Sequence, residues 1–363
     1  MINLILSLDY EIFGNGAGDV MRDVIEPTDR MLRICDKHNA RLTIMFEVAE
    51  YWSFQQYDKE LTDTLGFSPY GKMRQQAFDA VLRGHDVQLH IHPQWIGAEL
   101  VDGLWQLKFD QWRLADLPDG LGDSNNIFSI TGALLKGKKT LESIINPLRP
   151  GYRCQAFRAG GFYAQPAGDV IKAIKQVGLI ADSSVVQGMH IEKPWQLDYR
   201  SAQSNLGYWW TAADDLNCSG AELENILEFP VFSQPKPYIY NFKWPKLRAA
   251  LKRRELENND PHTGLAYGAK STPGAGSIIK KLRSVHPMTF DFCKLSSSNM
   301  LSTLKEIVNN NDHKNKIIPL MMIGHCKDFW NDKNLDKFLS QVSKMTSTVK
   351  FSTFADTINE ITG

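Results

Sequence analysis

Short apolar runs alternate along the chain with longer stretches in which apolar residues return every three or four positions. Seven of the runs have the length and composition of strands: Ile2–Asp9, Arg41–Val48, Asp86–His92, Gln155–Arg158, Leu179–Ser183, Ile226–Val231 and Lys316–Ile323. Helical spacing lies between several of them. Pro27-Thr28-Asp29 supplies helix-start residues and leads into Met31, Leu32 and Cys35. Pro166-Ala167-Gly168-Asp169 leads into Val170, Ile171, Ile174 and Val177, and Gly178 then stops the helix just before a strand. Strand and helix in alternation predict an α/β fold with a mostly parallel sheet. No Pro/Gly/Ser linker divides the chain and no internal repeat is present, so the expectation is one domain over residues 1–363. Its predicted form is a (β/α)7 barrel, distorted or incompletely closed, with long insertions at about 95–152 and 233–298.

Composition narrows the function class. The 363 residues carry 41 Lys+Arg against 41 Asp+Glu, and 43% are hydrophobic, which excludes a disordered acidic or basic chain and argues against a nucleic-acid binder. No apolar run approaches the roughly 18 residues of a membrane span. The N-terminus lacks the basic segment and cleavage site of a signal peptide. The five cysteines are scattered and odd in number, with no Cys-x-x-Cys pair. Reduced thiols and a cytoplasmic location are therefore expected.

Polar residues gather where a parallel barrel keeps its chemistry. In a strand, residues i and i+2 point the same way, so Asp9 and Glu11 share a face, and in Asp86–His92 the residues Gln88, His90 and His92 oppose Val87, Leu89 and Ile91. Two imidazoles on one face beside a carboxylate suit Zn²⁺ or a similar divalent ion; a satisfied pair of buried histidines is the plainer alternative. Glu47, Arg158, Asp182, Glu228 and His325 fall at or near the ends of other strands, the end at which barrel active sites assemble.

Five ordered motifs resemble the NodB-type polysaccharide deacetylases, carbohydrate esterase family four in the broad sense. They are Ser7-Leu8-Asp9-Tyr10-Glu11, Gly84-His85-Asp86-Val87 continuing through His90-Ile91-His92-Pro93, Phe157-Arg158-Ala159-Gly160-Gly161-Phe162, Asp182-Ser183-Ser184, and Met322-Ile323-Gly324-His325. Two departures stand out. Tyr10 separates the two acidic residues that are adjacent in the family, and Gln94 occupies the family's second histidine position, with His92 as an extra histidine. The resemblance implies a metal-dependent hydrolase that removes an acetyl group from an N- or O-acetylated sugar, with Glu11, His90 and His92 as metal ligands. Zinc is the expected ion, with manganese or cobalt as alternatives. It further implies Asp9 as general base, Arg158 orienting it, His325 protonating the departing amine, and Asp182 orienting Arg158 or His325. Gly160, Gly161, Tyr163 and Trp95 are the implied substrate contacts. His85, at the start of its strand, reads as structural.

Other signals add partners and rivals. Trp95, Trp105, Trp112, Tyr163, Trp195, Trp209 and Trp210 offer faces on which sugar rings stack, or simply loop packing. Between Lys236 and Arg254 there are seven basic residues and no acidic one. Such a segment suits a solvated helix, or peripheral contact with an anionic membrane and a lipid- or nucleotide-linked sugar. Gly132–Thr140 imitates a phosphate loop but has Lys139 where Ser or Thr must stand, and no Gly-x-Ser-x-Gly elbow exists. Two rival readings remain. One is a glycoside hydrolase on a related barrel, using Asp9 or Glu11 with Glu228 or Asp182. The other is a non-catalytic sugar-binding or assembly protein with a degenerate site.

Overall fold

The computed structural model describes residues 1–220, 225–237, 285–310 and 316–363. Its centre is one curled, predominantly parallel sheet. Seven parallel strands appear in the seven predicted places: β1 (Ile2–Tyr10), β2 (Leu42–Glu47), β3 (Asp86–Ile91), β4 (Ala156–Ala159), β5 (Ala181–Asp182), β6 (Leu227–Glu228) and β7 (Ile318–His325). They stand in the order β6-β5-β4-β3-β2-β1-β7, each pairing in parallel with its neighbour. Trp209–Trp210 adds an antiparallel edge beside β6, and Val349–Phe351 pairs with the start of β1. The ladder is open. Among the described residues, only single bridges join the segment after β6 to β7, Val231 with Met321 and Asp291 with Ile323. The result is a distorted, incompletely closed barrel.

Nine helices are described: α1 (Glu26–Lys37), α2 (Val48–Gln56), α3 (Asp58–Leu65), α4 (Pro69–Leu82), α5 (Ile130–Ile145), α6 (Ala167–Gln176), α7 (Ser297–Asn310), α8 (Asp332–Val342) and α9 (Phe354–Thr362). The period-2 rule explains how the strands serve two layers. Leu4, Leu6 and Leu8 of β1, Ile44 and Phe46 of β2, and Val87, Leu89 and Ile91 of β3 join the large core with Met31, Leu32 and Ala77 of the helices. The alternate residues line the concave face. There Ile5, Ala156, Ala181, Leu227, Met321 and Ile323 form a second cluster.

Helix α9 closes the lower, N-terminal end of this concave face. Phe354 and Ile358 complete the second cluster. The amide of Phe354 donates to Thr43 Oγ1 at 3.0 Å and that of Ala355 to Asp86 Oδ2 at 3.1 Å. Gln88 ties this floor to the strands, donating from Nε2 to Asp86 Oδ1 at 2.9 Å and accepting the amides of Gln155 and Ala156 at 2.9 Å each.

Both predicted helix boundaries hold: α1 carries Pro27 in its first turn, and α6 ends before Gly178, whose φ of 71° only glycine adopts without strain. The stretch imitating a phosphate loop is the body of α5. The five cysteines are free, and all but Cys218 are buried. The basic run Lys236–Arg254 lies outside the described residues beyond Pro237. Among the described residues no helix is long and apolar enough to cross a membrane.

Candidate metal and acid–base site

The upper ends of β1, β2, β3, β4 and β7 deliver their polar side chains to one buried place. Two adjacent groups result, one built around Asp9 and one around Glu11.

Asp9 is the last inward residue of β1. Arg158, fully buried on β4, donates from one terminal nitrogen to Asp9 Oδ1 at 2.5 Å. Its other donors are committed as well: Nε to Ser183 O at 2.9 Å, and the second terminal nitrogen to Ser7 Oγ at 2.9 Å and Ser183 Oγ at 3.1 Å. The guanidinium is therefore locked in place. Burial pushes the Asp9 carboxyl up, but Arg158, His90 and His325 outweigh it and hold the group below its usual range. His325, at the end of β7, places Nε2 3.5 Å from Asp9 Oδ2. Its Nδ1 is buried without a partner. Burial and nearby Lys294 lower the His325 pKa against the pull of Asp9 and Asp328, which favours a neutral ring.

The second group is Glu11, Glu47, His90 and His92, all buried, whose candidate donor atoms lie within 4.8 Å of one another. Each has one atom held by the protein and another facing its fellows. Glu47 caps α2, its Oε1 accepting the amides of Ala49 at 2.9 Å and Glu50 at 3.4 Å, while Oε2 has no partner. His90 Nδ1 bonds the carbonyl of Arg158 at 2.9 Å, and its Nε2 lies 3.2 Å from Glu11 Oε2. His92 Nδ1 meets Gln94 Nε2 at 3.0 Å. Its Nε2 sits 2.6 Å from Glu11 Oε2 but out of line for a hydrogen bond, so this buried nitrogen is unsatisfied. Glu11 Oε1 is taken by Lys327 Nζ at 2.6 Å.

Two imidazoles and two carboxylates with orphaned, convergent donor atoms fit a divalent cation of the zinc or manganese type. Outer partners that fix each ligand's free atom are what such sites use. Ligation through His92 Nε2 needs a proton on Nδ1, and hence the carbonyl end of Gln94 facing it. A half turn of that amide supplies this, since its two ends are interchangeable in shape. The local charge agrees. Burial opposes a charged His90, yet Asp9 and Glu11 raise its pKa to about 9. Burial likewise opposes a charged Glu11, yet His92 and Lys327 hold its carboxyl well below the usual range. The carboxylates of this space attract a cation.

Of the residues expected at the site, the structure brings together Asp9, Glu11, His90, His92, Arg158 and His325. Gly160 packs directly on His92: a Cβ there would stand 2.6 Å from His92 Cγ. Gly161 takes a left-handed conformation, φ 56°, in the same turn. Tyr163 is mostly buried and meets Trp195 edge to face at 6.3 Å. Asp182 does not contact Arg158 or His325 through a hydrogen bond. It accepts from the amide and hydroxyl of Ser184, both at 2.8 Å, and Ser184 in turn accepts the amide of Ala159. Burial and the neighbouring Asp182 carboxylate keep Glu228 well above the usual carboxyl range. Both are fully buried, so neither flanks an open cleft. Trp95, expected as a substrate contact, is 2% exposed and packs against Phe54 and Trp105. The aromatic wall beside the site is Trp112 instead. It stacks flat on Trp195 at 4.6 Å and meets His92 edge to face at 6.3 Å. Glu47 and Lys327 complete the cluster. Glu47 is legible as a strand-end carboxylate, whereas nothing in the sequence distinguishes Lys327 from other lysines.

No family model matches the sequence, and no curated protein matches it. Similar solved structures include a protein named as a polysaccharide deacetylase from Mycobacterium smegmatis, 12% identical over 98% of this chain and 87% of that one, with a TM-score of 0.45. A Puue allantoinase is 10% identical over 98% of this chain and 88% of that one, with a TM-score of 0.43. A GH57-type branching enzyme from Pyrococcus horikoshii is 11% identical over 99% of this chain and 71% of that one, with a TM-score of 0.48.

Proposed function

We propose that this chain is a metal-dependent hydrolase that removes an acetyl group from an N- or O-acetylated sugar. One observation carries the reading: an Asp9 carboxylate held ionised by a locked arginine, with His325 beside it, adjoins a convergent set of four donor atoms. Glu11, Glu47, His90 and His92 would hold the ion. Bound there, a divalent cation supplies a Lewis acid that polarises a carbonyl and makes water more acidic.

The chain's own residues account for the proton path. Asp9, ionised at neutral pH, accepts the proton of the attacking water as general base. Arg158 keeps that carboxylate aimed and in its basic form. A His325 ring that starts neutral takes up the proton Asp9 has gained and passes it to the departing nitrogen or oxygen, so acetate and a free amine or hydroxyl leave. Trp195, half-buried and backed by the stacked ring of Trp112 beside His92, is an aromatic face that a sugar ring can meet. The glycosidase alternative draws no support from Asp182 and Glu228, which are fully buried and interact with each other.

The test is acetate release from a panel of N- and O-acetylated mono- and oligosaccharides, using protein reconstituted with Zn²⁺, Mn²⁺ or Co²⁺. Acetate is expected from wild type and lost in His325→Asn. Reducing sugar released without acetate would establish the glycosidase reading. Sugar binding with no turnover, surviving His90→Ala, would establish the non-catalytic one.

A further inference from the structure

The contact between Lys327 and Glu11 has no role in the proton path. Lys327 follows β7 in a short turn, with its side chain 9% exposed. Its ammonium donates to Glu11 Oε1 at 2.6 Å and to the carbonyl of Ile12 at 2.7 Å, and it stands 5.6 Å from the centre of the Phe13 ring. Cys326 Sγ, one residue earlier, lies 3.2 Å from the Glu11 carbonyl, so the turn is fastened to the Glu11 segment at several points. The consequence falls on the carboxylate. Oε1 is held by a full positive charge, and only Oε2 faces His90 and His92, at 3.2 and 2.6 Å. Glu47 is restricted in the same way by a different device, its Oε1 being spent on the amides that open α2.

We propose that Lys327 is a positioning residue that limits Glu11 to a single donor oxygen. The ion then receives one atom from each of four residues, and coordination space is left for the reactants. This inference rests on the metal reading above. A carboxylate freed of its lysine can turn both oxygens to the ion, filling that space, and removing an ammonium from the neighbourhood of a divalent cation also removes repulsion. Lys327 thus lowers the affinity for metal in exchange for an open site.

The experiment compares wild type, Lys327→Met and Lys327→Arg after loading with Co²⁺, with melting temperatures recorded to confirm folding. Two readouts are taken: the rate of Co²⁺ loss to excess EDTA, and the intensity of the visible d–d bands, which falls as the number of ligands rises. Lys327→Met should release Co²⁺ more slowly, by roughly 10-fold, the smallest size of change that loss of an outer partner causes but of opposite sign because an ammonium repels the ion, and should show weaker bands and reduced turnover at full occupancy. Lys327→Arg, which keeps a cation on Oε1, should restore the wild-type spectrum. Unchanged bands in Lys327→Met overturn the inference, whether release is faster or unaltered. An absence of Co²⁺ from folded wild type would instead overturn the metal reading, and this inference with it. If Lys327→Met does not fold, Lys327→Gln takes its place as the variant without a cation on Oε1, and the same bands and release rate decide.

Discussion

His85 and His90 lie five positions apart on the same run of chain, both buried, and their chemistry is opposite. His85 sits just below β3, its Nδ1 accepting the amide of Leu42 at 3.0 Å and its Nε2 3.0 Å from Asp36 Oδ1. Burial dominates there, assisted by Arg83 and Arg41, and outweighs Asp36, lowering the pKa to about 4. At His90 burial acts in the same direction, but Asp9, Glu11 and Glu47 overcome it and the pKa rises to about 9. The same contrast extends to the carboxylates of the concave face. Asp86 at the floor accepts from Gln88 and from the Ala355 amide of α9, with no orphaned oxygen. Glu47 at the upper end leaves Oε2 bare. Burial alone therefore does not mark a working group. What distinguishes the upper end is that two carboxylates and two imidazoles converge, with Glu47 Oε2 and His92 Nε2 left without partners among the described residues. Orphaned buried atoms also occur elsewhere among the described residues, at Thr28 and Thr211 for example, so it is convergence with neighbouring donor atoms that marks this end.

The contrast is open to attack from its largest consequence downward. The double variant His90→Ala/His92→Ala should reduce metal content from near one ion per chain to near zero by elemental analysis. Retention of the ion would erase the difference between the two ends. Next in size, Asp9→Asn should lower acetate release by about 10²–10⁴-fold, the range for loss of a general base, with metal content unchanged. Asp9→Asn also leaves the Arg158 charge buried without a carboxylate, so its melting temperature should fall too.

The floor makes the complementary predictions. Because the folded His85 pKa lies below the unfolded value of about 6.5, the stability it contributes is complete above that value. It is lost as the pH falls toward 4, by an amount on the order of 3 kcal/mol. Urea titrations between pH 7 and 4 should show this loss, and His85→Gln should blunt it; a flat profile in wild type would contradict the assignment. The smallest effect is expected of Asp86→Ala. It removes a partner from the Ala355 amide and from Gln88, and should destabilise the chain by about 1–3 kcal/mol while leaving metal content and turnover intact. Lost metal in this variant would mean that the two ends are coupled.

The seven strands were legible to within a few residues because a parallel strand covered on both faces shows as a plain apolar run. The pairing of Asp9 with Arg158 could be anticipated because both end such runs. β5 and β6 came out shorter than expected, since their flanks bend away to join single bridges and turns, which composition does not encode. The departure at Gln94 was visible, but its compensation was not. Gln94 stands behind His92 rather than beside it, a relation set by the turn after β3 and not by spacing. Aromatic side chains were the least legible. Trp95 and Trp112 are both buried in the core, yet only Trp112 meets His92, because tertiary packing alone decides which ring reaches the histidines.

The strand order also sets a timetable for synthesis. β1 is made long before β7, its partner along nearly its whole length, with Ser7 Oγ donating to Met322 O across 315 positions. Glu11 likewise waits for Lys327, 316 positions later. Until β7 has left the ribosome, a buried, mostly apolar strand has one unpaired edge and the candidate cation site has no wall on that side. Completion of the candidate site thus waits on contacts between residues more than 300 positions apart. Slow acquisition of metal-binding competence during refolding, trailing the appearance of secondary structure, is the expected signature.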